Sequence, residues 1–230
     1  MRTAPLFLYL LTAGAATLLA ELRPGPVALV LKALPLLVLL WDVGLPCPFT
    51  RRHGFLFLGL AASLIGDEVI AFVFVGGIAA FLVAHVCYLA AMGWERERPA
   101  AQLLACLPAI LLWGGMLQLL WPRVPADLKG PVAVYLSVIS AMLARATIRA
   151  FVTRRGEVAS WAMFAGASLF ALSDSLIALS RWVLTVPHPE LAILSTYYLA
   201  QLLIRFGLAD AGAAGRNEPL APATTQGARP

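Results

Sequence analysis

From residue 4 to residue 209 this chain is a succession of apolar runs, each about 20 residues long and joined by short polar links. A hydrocarbon core about 30 Å thick is crossed by a helix of that length. Barrel strands are shorter and alternate apolar with polar residues, which these continuous blocks do not. Composition agrees. Of 230 residues 61% are apolar and 13% charged, whereas soluble domains hold about a quarter charged residues. The mean hydropathy is +0.85. The expected fold is an all-α integral membrane bundle of eight transmembrane helices.

The spans are read as 4–20, 26–45, 54–73, 76–93, 101–120, 131–150, 158–180 and 190–209. Pro35 falls inside the second, and Gly76–Gly77 is expected to form a tight turn between the third and fourth. The first run follows Arg2 in the manner of a signal peptide, but it is long enough to remain as a helix. Residues 1–210 form one transmembrane domain. Residues 211–230 are rich in Ala, Gly, Pro and polar residues and are expected to be a disordered cytoplasmic tail.

Eight spans put both termini on one side. That side carries ten of the seventeen cations: Arg2, Arg51, Arg52, Arg96, Arg98, Arg149, Arg154, Arg155, Arg216 and Arg229. The other carries Arg23, Arg123, Lys129 and Arg181. The excess places both termini in the cytoplasm, at the inner or plasma membrane if the source is bacterial. The net charge of +5 is this loop pattern and does not point to nucleic acid. Cys47, Cys87 and Cys106 are odd in number, and two lie in apolar runs, so no disulfide is expected. His85, Cys87 and Cys106 show no recurring ligand spacing, so neither a metal nor a cofactor is expected. Oligomeric state is not legible.

A charge at the bilayer centre costs at least about 2.5–3.5 kcal/mol, so ionisable residues inside spans call for a reason. Lys32, Asp67, Glu68, His85, Arg145, Asp174 and Arg205 qualify, accompanied by Tyr88, Ser173, Tyr197, Tyr198 and Gln201. Counted from the helix ends at 1.5 Å per residue, Lys32, Asp67, His85, Asp174 and Tyr197 lie roughly 9–14 Å below the non-cytoplasmic face. Five helices thus supply one polar layer, expected to line a central polar cavity open to that side. Gly59, Ser63 and Asp67 share a face, as do His85 with Tyr88 and Tyr197 with Gln201 and Arg205. Other readings stand beside these. His85 suits a packing role. Lys32 suits either a carboxylate partner or an anion ligand. Arg145 and Arg205, near the cytoplasmic end, suit snorkelling. The third and seventh spans both run outward with an aspartate at equal depth, which suggests a parallel four-plus-four duplication.

The segments SLIGDEVIAF, GGIAAFLVAHVCYLAAM, SLFALSDSLIAL and LSTYYLAQLLIRFGL resemble the YhhN-like membrane family, which includes the lysoplasmalogenases. LKALP resembles that family's lysine–proline element, with two residues between Lys32 and Pro35. The resemblance covers spans two to four, seven and eight. It implies hydrolysis of the vinyl ether bond of a lysophospholipid, lysoplasmenylcholine or lysoplasmenylethanolamine, to a fatty aldehyde and a glycerophospho-alcohol. The matching polar positions are Lys32, Asp67, His85, Tyr88, Ser173, Asp174, Tyr197, Tyr198 and Gln201. Vinyl ethers hydrolyse by proton transfer to the β-carbon, after which water captures the oxocarbenium ion. Such chemistry calls for one carboxyl as acid and one as base and stabiliser, as in glycosidases. Asp67 and Asp174 are the expected pair. Buried carboxylates and a lysine also suit a proton-coupled transporter, or a lipid-binding membrane protein without turnover.

Overall fold

A computed structural model describes residues 3–44, 50–93, 99–153 and 157–209. Nine α-helices run through them: α1 Thr3–Leu22, α2 Pro26–Gly44, α3 Arg51–Val69, α4 Phe74–Met92, α5 Pro99–Ala105, α6 Leu107–Leu120, α7 Lys129–Ile148, α8 Val158–Trp182 and α9 Pro189–Ala209. No strand occurs among the described residues. Helix is what a bilayer demands, because a lone span must satisfy every backbone N–H and C=O within itself. The expected tail, 211–230, lies outside the described residues.

Two expectations are corrected. The span 101–120 is broken at Cys106 into α5 and α6. Pro108 sits one residue inside α6; it has no N–H for the Leu104 carbonyl, and its ring crowds that group. The turn placed at Gly76–Gly77 falls at 70–73 instead, and both glycines lie in the first turn of α4. Gly77 is there for closeness. A Cβ at this position would stand 2.4 Å from Ile70 Cβ, so only glycine lets the end of α3 fold back this tightly.

Among the described residues six helices are long and apolar enough to cross a membrane: α1, α2, α4, α8, α9, and α7 together with the π-helical turn Arg149–Thr153 that extends it. Helix α3 has the length but opens with Arg51–Arg52 and ends near Asp67–Glu68. Helix α6 is 14 residues long. Large apolar side chains cover the outside, among them Phe7, Leu22, Val30, Leu104 and Leu111. In water such a surface would be a liability; against lipid it is the expected solvent-facing side. The chain is a multi-pass α-helical membrane protein.

The closest pairings are α3 with α4 and α8 with α9. Small residues create both. A Cβ on Gly59 would meet the Tyr88 ring at 2.4 Å, and one on Gly166 would meet the Ala200 carbonyl at 3.0 Å. Helix α9 also touches α1, α2, α3 and α4, so it stands inside the bundle.

Candidate active site

The polar layer resolves into two centres joined by aromatic rings, rather than one open cavity. At the first, Lys32 of α2 points its Nζ between Asp67 Oδ1 of α3, at 3.7 Å, and Glu190 Oε2 in the first turn of α9, at 3.9 Å. Asp67 is 6% exposed, so burial keeps the lysine's attraction little screened. Tyr198 donates its hydroxyl to the Lys32 carbonyl at 3.0 Å, and Tyr9 of α1 donates to the Tyr198 carbonyl at 2.6 Å. Four helices are thus tied at this point.

The second centre lies between α4, α7 and α8. His85 Nε2 is 3.1 Å from Asp174 Oδ2. Tyr135 donates its hydroxyl to the same oxygen at 2.6 Å and lies 3.0 Å from His85 Nε2. His85 is fully buried. Among the described residues its Nδ1 has no hydrogen-bond partner, and neither does Asp67 Oδ2.

Between the centres stand Phe81, Phe170 and Tyr197. Phe170 packs edge-on against His85 at 4.7 Å and against Tyr197 at 5.5 Å, and Phe81 meets both Phe170 and Tyr197. These rings occupy the space in which a single cavity was expected. Behind them Tyr88 donates to Gln201 Oε1 at 2.7 Å and lies 3.2 Å from Ser63 Oγ, while Tyr197 donates to the Ser63 carbonyl. Tyr88, Tyr197 and Gln201 therefore bind α3, α4 and α9 together. Ser173 donates to the Ile193 carbonyl and fastens α8 to α9 instead of facing Asp174.

Sequence reasoning missed Tyr135, Glu190, Tyr9 and Asp42. Tyr135 occupies an otherwise apolar stretch six residues from the start of α7, the same offset as Lys32 in α2, and that offset was the available signal. Glu190 opens a helix, where an acidic residue is ordinary.

The arginines do not snorkel. Arg205 Nη2 lies 2.5 Å from Asp42 Oδ2, both nearly buried. Arg145 Nε donates to the Gly93 carbonyl and Arg149 Nη1 to the Met92 carbonyl, each at 2.7 Å. The last carbonyls of a helix have no partner within it and carry partial negative charge, so two guanidinium groups clasp the end of α4. Removing one member of the buried Asp42–Arg205 pair leaves an uncompensated charge, a loss of about 3–5 kcal/mol. Arg205→Met is expected to lower the melting temperature in detergent sharply. Joint replacement of Arg205 and Asp42 by Met and Leu should restore most of the loss in the same thermal melt.

Apolar helices closed around buried carboxylate, tyrosine, histidine and lysine contacts define a polytopic membrane protein with an ionisable interior. The family model described as the YhhN family matches residues 27–208. The chain belongs to that family. A human protein named lysoplasmalogenase TMEM86B is 35% identical over 179 residues, covering 77% of this chain and 73% of its own length. Rat lysoplasmalogenase TMEM86B is 33% identical over 186 residues, with 80% and 74% covered. A lysoplasmalogenase of Mycobacterium tuberculosis is 32% identical over 183 residues, with 74% and 66% covered. No solved structure matches significantly.

Proposed function

We propose that this protein is a hydrolase that cleaves the vinyl ether bond of lysoplasmalogens, with a choline or ethanolamine headgroup, by general acid/base catalysis from Asp174 and Asp67. The observation that carries the reading is the Asp174 carboxylate, held by Tyr135 and His85 on the wall of an otherwise apolar slot. Relatives named lysoplasmalogenase support the reaction class.

The steps follow from the bond. A proton passes from the Asp174–His85 pair to the β-carbon of the alkenyl group, and the ether oxygen's electrons stabilise the cation at the α-carbon. The Asp174 carboxylate then faces that cation. Water adds to the α-carbon and gives up a proton, forming a hemiacetal. Collapse of the hemiacetal breaks the carbon–oxygen bond, returning a proton to the glycerol oxygen and releasing the aldehyde. Asp67 is assigned to the water step, because its Oδ2 is buried and has no hydrogen-bond partner among the described residues; the step calls for the Phe81 and Tyr197 rings to part, since they stand between it and Asp174. Tyr88, Tyr197 and Gln201 keep α3, α4 and α9 in register around these groups and Tyr198 ties α9 to α2, and positioning of this kind carries a large share of catalytic barrier lowering.

The proposal keeps the eight-span topology, counting α5 and α6 as one broken span, with both termini cytoplasmic, and the parallel duplication. Asp67 and Asp174 stand at equal distances from the starts of α3 and α8, and Lys32 and Tyr135 from the starts of α2 and α7. Asp67 takes partners from α2 and α9, and Asp174 from α7 and α4. Each aspartate thus uses the preceding helix and the final helix of the opposite half. D-x-x-I-A begins at both aspartates, and Gly59 and Gly166 precede them at the same offset.

The test is direct. Purified protein is mixed with lysoplasmenylcholine or lysoplasmenylethanolamine and aldehyde is measured. Aldehyde release supports the enzyme. Uptake of lipid into proteoliposomes with no aldehyde formed sinks it.

A further inference from the structure

One cavity reaches a catalytic side chain. It lies between α4, α6, α7 and α8, and its wall is apolar, with Phe74, Leu112, Met116, Leu136 and Trp182 among the lining. Asp174, Tyr135 and Ser175 interrupt that lining. At its outer end Arg181 is exposed and stacks on the Phe74 ring, its Cζ 4.0 Å from the ring centre. No ion pair of Arg181 occurs among the described residues. Arg181 and Asp174 are seven residues apart on α8, hence on one face and separated by a rise of about 10 Å.

We infer that this slot is the substrate site, with Arg181 binding the phosphate of the lysophospholipid and the apolar wall holding its alkenyl chain. The inference rests on the hydrolytic reading for the identity of the lipid. Its geometry is independent of that reading. An anion at the mouth, a vinyl ether beside Asp174 and a chain running on among Leu112, Met116 and Leu136 follow the order of groups in a lysoplasmalogen. A guanidinium offers a paired donor fork that matches phosphate. Lys32 is less suited to that task, because Asp67 and Glu190 already flank it.

The experiment compares two substrates, lysoplasmenylcholine and the phosphate-free 1-alkenylglycerol. Arg181→Gln is expected to raise KM for the phospholipid about 10-fold or more, which corresponds to about 1.4 kcal/mol. The effect on kcat and on the phosphate-free substrate should be much smaller, and Arg181→Lys should recover part of the loss. Equal change on both substrates, or none on either, overturns the phosphate assignment. A second measurement needs no turnover. A lyso-1-O-alkyl phosphocholine carrying a mid-chain diazirine is photolysed with the wild type, and peptides are mapped. Label on Leu112 or Met116, weakened in Arg181→Gln, supports the site; label confined to other helices overturns it. Normal aldehyde release with label elsewhere removes the site and leaves the hydrolase. Label at Met116 with no aldehyde from the wild type removes the hydrolase and leaves the site.

Discussion

Asp174→Asn is expected to lower kcat for aldehyde release by about 10³-fold, within the range that a positioned acid or base contributes, while the protein stays folded in detergent. Asparagine keeps the size of the side chain and can still accept from the Tyr135 hydroxyl and lie beside His85. It cannot carry the charge that steadies the cation, nor share a proton with imidazole. The fall should therefore appear in kcat with KM little moved, since the lost interaction belongs to the transition state. Tyr135→Phe removes one hydrogen bond from the same oxygen and is expected to cost about 10-fold, the scale of a hydrogen bond to a charged group. Retention of near wild-type turnover by Asp174→Asn would remove this centre from the mechanism.

Asp67→Asn is expected to cost about 10²-fold or more in kcat, with a different signature. Asp67 shares Lys32 with Glu190, so the variant leaves a half-buried ammonium with one partner instead of two. Lys32→Met alone should also impair turnover. Combined with Asp67→Asn it should add little, because both variants disable one unit and such effects are not additive. The double-mutant cycle, read in kcat and in thermal stability, checks this. Full additivity would show Asp67 and Lys32 acting separately.

Much of the helix pattern was legible because the membrane leaves an apolar run few alternatives. The failures were local and concerned glycine and proline. Gly76–Gly77 suggested a turn, yet tertiary closeness to Ile70 was the reason for Gly77. Pro108 splits a span that hydropathy alone joins. Depth counting found the polar layer, since helix geometry converts residue number into height. It found neither the division into two centres nor Tyr135, because height says nothing about rotation around the bundle. Phe81 and Phe170, which stand between the centres, look in sequence like any other apolar residues. The arginines were misjudged for a related reason. Their partners are the Asp42 carboxylate and the free carbonyls at the end of α4, and no sequence spacing brings those together.

The place of α9 bears on how the chain matures at the ribosome. This helix supplies Glu190, Tyr197, Tyr198 and Gln201 and is the last of the nine to be synthesised. Until it inserts, Lys32 lacks one carboxylate, Tyr9 lacks its acceptor and the α3–α4 hairpin faces lipid where α9 later packs. The Asp174 centre draws its partners from α4 and α7 and can form earlier, whereas the Asp67 centre is completed only when α9 packs.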